Sequence, residues 1–201
     1  MLQTLETVYE FDFVHGGQHV FRELLQALAN PGQIRDISAE ADAFEGESRA
    51  MLALGCTLLD NEEKMYIEKN RQLAEELHSL TLSRESALEE ADFVFLSSEM
   101  NMGSLEQVMR RVKHGTYADP HTSATIILYT PDIDGEKVMT LTGPGIDGER
   151  SIQTTAYVRE VVGLLNDLRI EYPLGIDLVF CDAQGRLLAV PRLVKVNERE
   201  G

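Results

Sequence analysis

Basic residues are scarce in this chain: 18 Lys and Arg stand against 34 Asp and Glu, a formal net charge of −16 over 201 residues. Nucleic-acid binding needs a basic face for the phosphates, so that class of function is excluded. Cysteine is nearly absent as well. Cys56 and Cys181 lie far apart and form no Cys-x-x-Cys or Cys/His cluster, which removes a structural zinc site and a disulfide framework from consideration. No stretch approaches the ~18 consecutive apolar residues of a membrane span. Residues 1–13, with Glu6, Glu10 and Asp12, lack the basic start of a secretory signal, so the expected compartment is the cytoplasm.

What is present suits a folded domain. The 43% hydrophobic and 26% charged fractions sit near globular averages. A chain of this length should bury about 70% of its unfolded surface. No linker or repeat divides it, and a single domain over residues 1–201 is expected.

Periodicity gives the elements. Val20, Leu24 and Leu28, with Phe21 and Leu25 beside them, predict a helix stopped by Pro31-Gly32. Residues 33–37 read as a short strand, and the acids Asp36, Glu40, Asp42, Glu45 and Glu47, with no base among them, as a solvated loop. Ser48 is placed as the N-cap of a helix through Leu59, apolar on nearly every face. A strand at Met65-Tyr66-Ile67 precedes a helix capped by Asn70, and an apolar strand at residues 93–96 precedes a helix over 104–112. The β-forming run 124–129 is expected to turn at residues 131–135 into a hairpin with 138–141. Val158, Val161, Val162, Leu165 and Leu168 predict a helix over 155–168, and a last hairpin joins 176–180 to 187–190 through Asp182-Ala183-Gln184-Gly185. Strands that alternate with helices and end in hairpins imply an α/β domain, three-layer αβα, with a mixed sheet.

Three segments hold more Gly, Pro and polar residues than a connection needs: 115–121, 140–146 and 172–177. In the second, Gly143 and Gly145 flank Pro144 and Thr142 adds a hydroxyl, which suits either an anion nest or a tight turn. It matches neither Gly-x-x-x-x-Gly-Lys-Ser/Thr nor Gly-x-Gly-x-x-Gly, and the tight turn is the plainer reading. Asp119 and His121, two apart, would share a face of an extended chain, where the carboxylate can orient the imidazole. No Ser or Cys stands in a nucleophile elbow, and a loop-capping Asp beside an exposed His is the plainer reading there. His15 and His19 have i, i+4 spacing, but Gly16-Gly17 argues against continuous helix and no third ligand accompanies them, so no metal is expected. Near the C-terminus Arg186, Arg192, Lys195 and Arg199 face Glu198 alone. For Arg192 an anion contact and an ordinary strand surface both stand open, whereas Lys195 and Arg199 read as ordinary surface.

Five segments in register resemble one family. They are residues 19–28 with Pro31-Gly32, 117–125, Leu141-Thr142-Gly143-Pro144-Gly145-Ile146, Tyr172-Pro173-Leu174-Gly175-Ile176-Asp177, and Ala189-Val190-Pro191-Arg192. Together they are similar to the PhnH family, the H subunits of the bacterial carbon-phosphorus lyase system, with Leu193 where that pattern has Thr. The resemblance implies a pyridoxal-phosphate-dependent transferase fold that has lost its cofactor, a homodimer, and a place beside G, I and J subunits in a core complex. That complex forms α-D-ribose 1-methylphosphonate 5-triphosphate from ATP and methylphosphonate, with the I subunit expected at the centre of that step.

No catalytic residue carries over from the family, and no cofactor is implied. The five lysines stand in polar contexts unsuited to a Schiff base, and no phosphate cradle with a metal-binding carboxylate is evident. An accessory subunit is therefore the first reading. The alternative is an independent enzyme or binding protein for an anionic ligand held near residues 142–145, Asp119, His121, Arg150 and Arg192; a bare interaction module is a third.

Overall fold

The computed structural model describes residues 9–98 and 100–197. In chain order the elements are α1 (His15–Ala29), β1 (Arg35–Asp36), α2 (Ser38–Ala41), α3 (Arg49–Leu58), β2 (Lys64–Ile67), α4 (Arg71–Thr81), β3 (Arg84–Glu85), β4 (Phe93–Ser97) and α5 (Met102–Arg111). They continue with β5 (Thr125–Thr130), β6 (Lys137–Thr142), β7 (Arg150–Thr154), α6 (Ala156–Asp167), β8 (Asp177–Asp182), β9 (Arg186–Val190) and β10 (Lys195–Asn197). Glu6, Glu198 and Arg199 lie outside the described residues.

Seven strands form one sheet in the order β1-β9-β8-β5-β4-β2-β3. β3, β2, β4, β5 and β8 run parallel, and β9 runs antiparallel to β8 and to β1. The middle strand shows why. Ile126, Ile127 and Leu128 of β5 are all fully buried, a continuous apolar run of the kind that needs cover on both faces. Ile126 and Leu128 pack with Leu105 and Met109 of α5 and Val158 and Val161 of α6. Ile127 and Tyr129 point the other way, toward Leu24 of α1, Leu52 of α3 and Leu77 of α4. Helices therefore cover both faces of a mixed sheet, as the alternation of strands and helices predicts.

Side-chain caps hold several helices where the sequence placed them. Asn70 Oδ1 accepts the Leu73 N–H at 3.0 Å, and Thr155 Oγ1 accepts the Val158 N–H at 3.3 Å. Asn101 does the same for α5, accepting the Ser104 N–H at 2.9 Å. Ser48 precedes α3 but caps nothing; its hydroxyl instead accepts from Asn70 Nδ2 at 3.4 Å.

Three expectations need correction. The first is the hairpin of β5 with β6. Both edges of β5 are taken by β4 and β8, so β6 has no edge to pair with there. It joins a separate antiparallel sheet in the order β10-β6-β7. β7, Arg-Ser-Ile-Gln-Thr, carries too little apolar alternation to be read as a strand. The second is the acidic run. Ile37, Ala41 and Phe44 are buried and fold residues 38–41 into a helical turn, with Asp36 Oδ1 accepting the Ser38 N–H at 2.8 Å. The third is the start of α1, which is continuous through Gly16 and Gly17 because Asp12 Oδ1 accepts the N–H groups of Val14 and His15, each at 2.9 Å.

Candidate functional site

The chain from β9 to β10 makes a turn, closed by the Val194 N–H donating to the Pro191 carbonyl at 2.9 Å. Arg192 lies in this turn and ties it to two other segments. Its backbone N–H and Nε donate to Asp177 Oδ1 at 2.9 and 3.2 Å, Nη2 donates to Asp177 Oδ2 at 2.5 Å, and Nη1 donates to the Pro120 carbonyl at 2.8 Å. The planar guanidinium is the side chain that can satisfy a carboxylate with two nitrogens while a third meets a carbonyl.

Two glycines let the neighbouring backbone close in. Gly175 has φ +152°, and a Cβ there would stand 2.6 Å from Arg192 Cβ. Gly143 has φ +134°, and a Cβ would stand 2.8 Å from the Leu193 carbonyl oxygen. The three Gly/Pro-rich segments thus meet at the Pro191–Val194 turn. They do so at the start of β5 and β8, whereas ligands of open α/β sheets ordinarily sit outside the carboxyl ends of the strands.

The other sequence candidates are placed as follows. Gly145 packs over the end of α1, near the Ala29 carbonyl, and Arg150 Nη1 donates to the Pro31 carbonyl at 2.7 Å. Both therefore hold the Pro31-Gly32 stop of α1. Thr142, half-buried, ends β6 opposite Lys195. Asp119 and His121 do not form an oriented pair. Pro120 starts a 3-10 turn over Pro120–Thr122, so the segment is not extended; both side chains are exposed and make no hydrogen bond or ion pair with each other. His15 and His19 also separate. His15 Nδ1 meets Asp12 Oδ2 at 3.0 Å, and His19 Nδ1 lies 3.0 Å from Glu40 Oε1.

The carboxyl end of the sheet is occupied by a second arginine knot. Asp182, fully buried at the end of β8, accepts Arg186 Nε at 2.7 Å and the backbone N–H groups of Gln184 and Arg186 at 3.0 and 2.9 Å. Asp132 accepts Arg186 Nη2 at 2.7 Å, and Asp134 pairs with Nη1. Burial disfavours the Arg186 charge, but the bonds and field of these carboxylates outweigh it and raise its pKa above the ordinary value. Neither thiol is poised to react. Burial pushes Cys56 up to about 12 and raises Cys181 further, with Asp182 adding to the latter.

Beside the Arg192 knot is a cleft of about 480 Å³, lined by Leu165, Arg169, Arg192, Val194 and Lys195 among others. Nothing in the sequence singles out Arg169, and Lys195 reads there as ordinary surface. The only local signal for either is charge, and the sequence does not show that residues 169 and 195 border one hollow.

A profile of the family described as bacterial phosphonate metabolism protein (PhnH) matches residues 10–197. The chain belongs to the PhnH family. A curated relative named "Putative C-P lyase subunit protein HtxG", from Stutzerimonas stutzeri, is 22% identical over 180 residues, 90% of this chain and 85% of the relative. Another, "Alpha-D-ribose 1-methylphosphonate 5-triphosphate synthase subunit PhnH" of Rhizobium meliloti (strain 1021), is 25% identical over 193 residues, 94% of each chain. The segments that carry the PhnH resemblance are those the two Arg contacts join. Residues 117–125, 141–146, 172–177 and 189–192 gather at the Arg192 turn, and Arg150 links residues 141–146 to Pro31.

Proposed function

We propose that this chain is the H subunit of a carbon-phosphorus lyase core complex, required for forming α-D-ribose 1-methylphosphonate 5-triphosphate and not the catalytic centre of that step. The observation that carries this reading is the family match over residues 10–197, together with two relatives that are each named a subunit. The geometry supports an accessory role. Asp119 and His121 are apart, Arg192 is engaged by Asp177, and the thiols are held in their neutral form. All five lysines are either exposed or, for Lys113, paired with Asp92, so none stands in the desolvated pocket that a Schiff base needs.

The partners in this reading are a second copy and G, I and J subunits, in the cytoplasm, with residues 1–201 acting as one domain. No helix among the described residues is long and apolar enough to cross a membrane. The outer face of α1 is where we place a neighbouring subunit. Phe21 and Leu25, one turn apart, are exposed, and with Val14, about two turns before Phe21, they make an apolar stripe beside the face that buries Val20 and Leu24.

Co-expression with G, I and J subunits, followed by pull-down and sizing, tests the proposal. A stable assembly containing this chain is expected, and Phe21→Glu with Leu25→Glu should abolish or strongly weaken it while the chain stays folded. Only the assembled complex should turn over ATP with methylphosphonate. A wild-type chain that stays alone with those subunits present would overturn the reading; loss of self-association alone in the variant would assign the stripe to a second copy.

A further inference from the structure

We infer that the cleft beside the Arg192 turn binds a small tetrahedral oxyanion, the phosphonate or phosphate group of a ligand, through Arg169 and Lys195. Its volume, about 480 Å³, lies in the range of small-ligand sites. Its lining decides the charge. Arg169, Arg192 and Lys195 border it and no carboxylate does, in a chain where acids outnumber bases 34 to 18. Another hollow of comparable size, about 410 Å³ along α6, sets Lys137 and Arg159 against Glu160 and Asp167 and carries no such bias.

Asp177 already engages Arg192, so the free charge of the cleft belongs to the other two. Arg169 and Lys195 have no ion pair or side-chain hydrogen bond among the described residues. Two cations bordering one hollow repel each other, and an anion between them removes that cost. The net charge of −16 does not oppose this, because charges beyond about 8 Å are largely screened at physiological salt.

The walls are firm. Asn166 Nδ2 donates to the Val196 carbonyl at 3.3 Å, tying the end of α6 to β10, and Leu165 and Val194 supply a buried apolar floor. Arg169 itself has φ +48°, directly after the Leu168 C-cap of α6. Glycine or asparagine would sit there without strain, so an arginine is held at a backbone position that disfavours it. A guanidinium and an ammonium over an apolar floor suit a compact oxyanion with several acceptor oxygens.

The subunit reading enters only in the choice of methylphosphonate as one probe. The full chain, at low ionic strength, is titrated with inorganic phosphate, methylphosphonate and ATP by calorimetry and by amide NMR shifts. Saturable binding of at least one probe is expected, and comparison of the three identifies which source the oxyanion comes from. Arg169→Ala with Lys195→Ala should weaken it about tenfold or more, since each lost charge-assisted contact matters. Arg169→Lys with Lys195→Arg should restore most of it, and Arg159→Ala in the other hollow should leave it unchanged.

Circular dichroism and melting of every variant check the fold. No saturable binding by the wild-type chain, or equal binding by the double Ala variant, would overturn the inference. A double Ala variant that loses subunit assembly without any anion effect would overturn it too, and make the cleft a protein interface. Failure of the subunit proposal is read separately, in the pull-down, where the double Ala variant should still assemble.

Discussion

At the scale of single residues, two arginines do different work with similar geometry. Arg192 links three loops, whereas Arg186 neutralises a carboxylate that has no access to water. Replacing Arg186 with Ala leaves Asp182 buried with its charge unpaired, and such losses cost about 3–5 kcal/mol. Urea denaturation should show that drop in stability, and an unchanged midpoint would mean that the carboxylate finds solvent or another partner. The thiols make a second residue-scale prediction. Cys181 is fully buried and Cys56 is held near 12, so the thiolate needed for alkylation is almost absent at neutral pH. Iodoacetamide at pH 8 should label neither thiol appreciably until denaturant is added. Which of Arg169, Arg186, Arg192 and Lys195 share a wall is not legible in the sequence, because charge and local context do not say which distant segments meet.

Among elements, local chemistry read well wherever the determinant was itself local. The cap at Asn70, the Pro31-Gly32 stop of α1 and the turn between β8 and β9 all depend on side chains within a few residues of the backbone groups they serve, whereas Ser48, read as a cap, serves Asn70 instead. The misplaced hairpin shows the limit. Nothing within residues 125–141 says that both edges of β5 are already claimed by strands more than twenty residues away. The Gly143 turn depends on both kinds of information: its freedom is local, but the crowding comes from Leu193. Gly143→Ala combines a φ of +134° with a clash against backbone, and should cost about 1–3 kcal/mol in a melting or urea series. Gly148→Ala, with open space around its Cβ and φ +72°, should cost less.

For the whole molecule, the acid limb of stability follows from how the carboxylates are held. The Arg35 guanidinium lowers the pKa of Glu23 below its ordinary 4.5, and the Ser38 hydroxyl and N–H lower that of Asp36 below 3.8. A carboxylate with a lowered folded-state pKa contributes stability that is complete above its unfolded value and lost as pH falls through the folded one. Burial, with the charges of Asp92 and Asp60 nearby, raises Glu63, which acts in the opposite sense. Hydrogen bonds from His15 and Arg111 lower Asp12 and Glu89 as well, so with four such groups against one, urea midpoints should stay level from pH 7 to about 5 and fall below about 4.5. A midpoint that rises on acidification would show that self-repulsion at −16 dominates instead. The sequence by itself determined the α/β class, most helices, the Asn70 cap and the family, because composition, periodicity and ordered motifs are properties of the chain. Only the tertiary structure decided the strand pairing, the second sheet, the meeting of three loops at Arg192, and the cleft bordered by Arg169 and Lys195. Those depend on which distant segments share an edge or a wall, and that is settled by packing the two faces of one sheet.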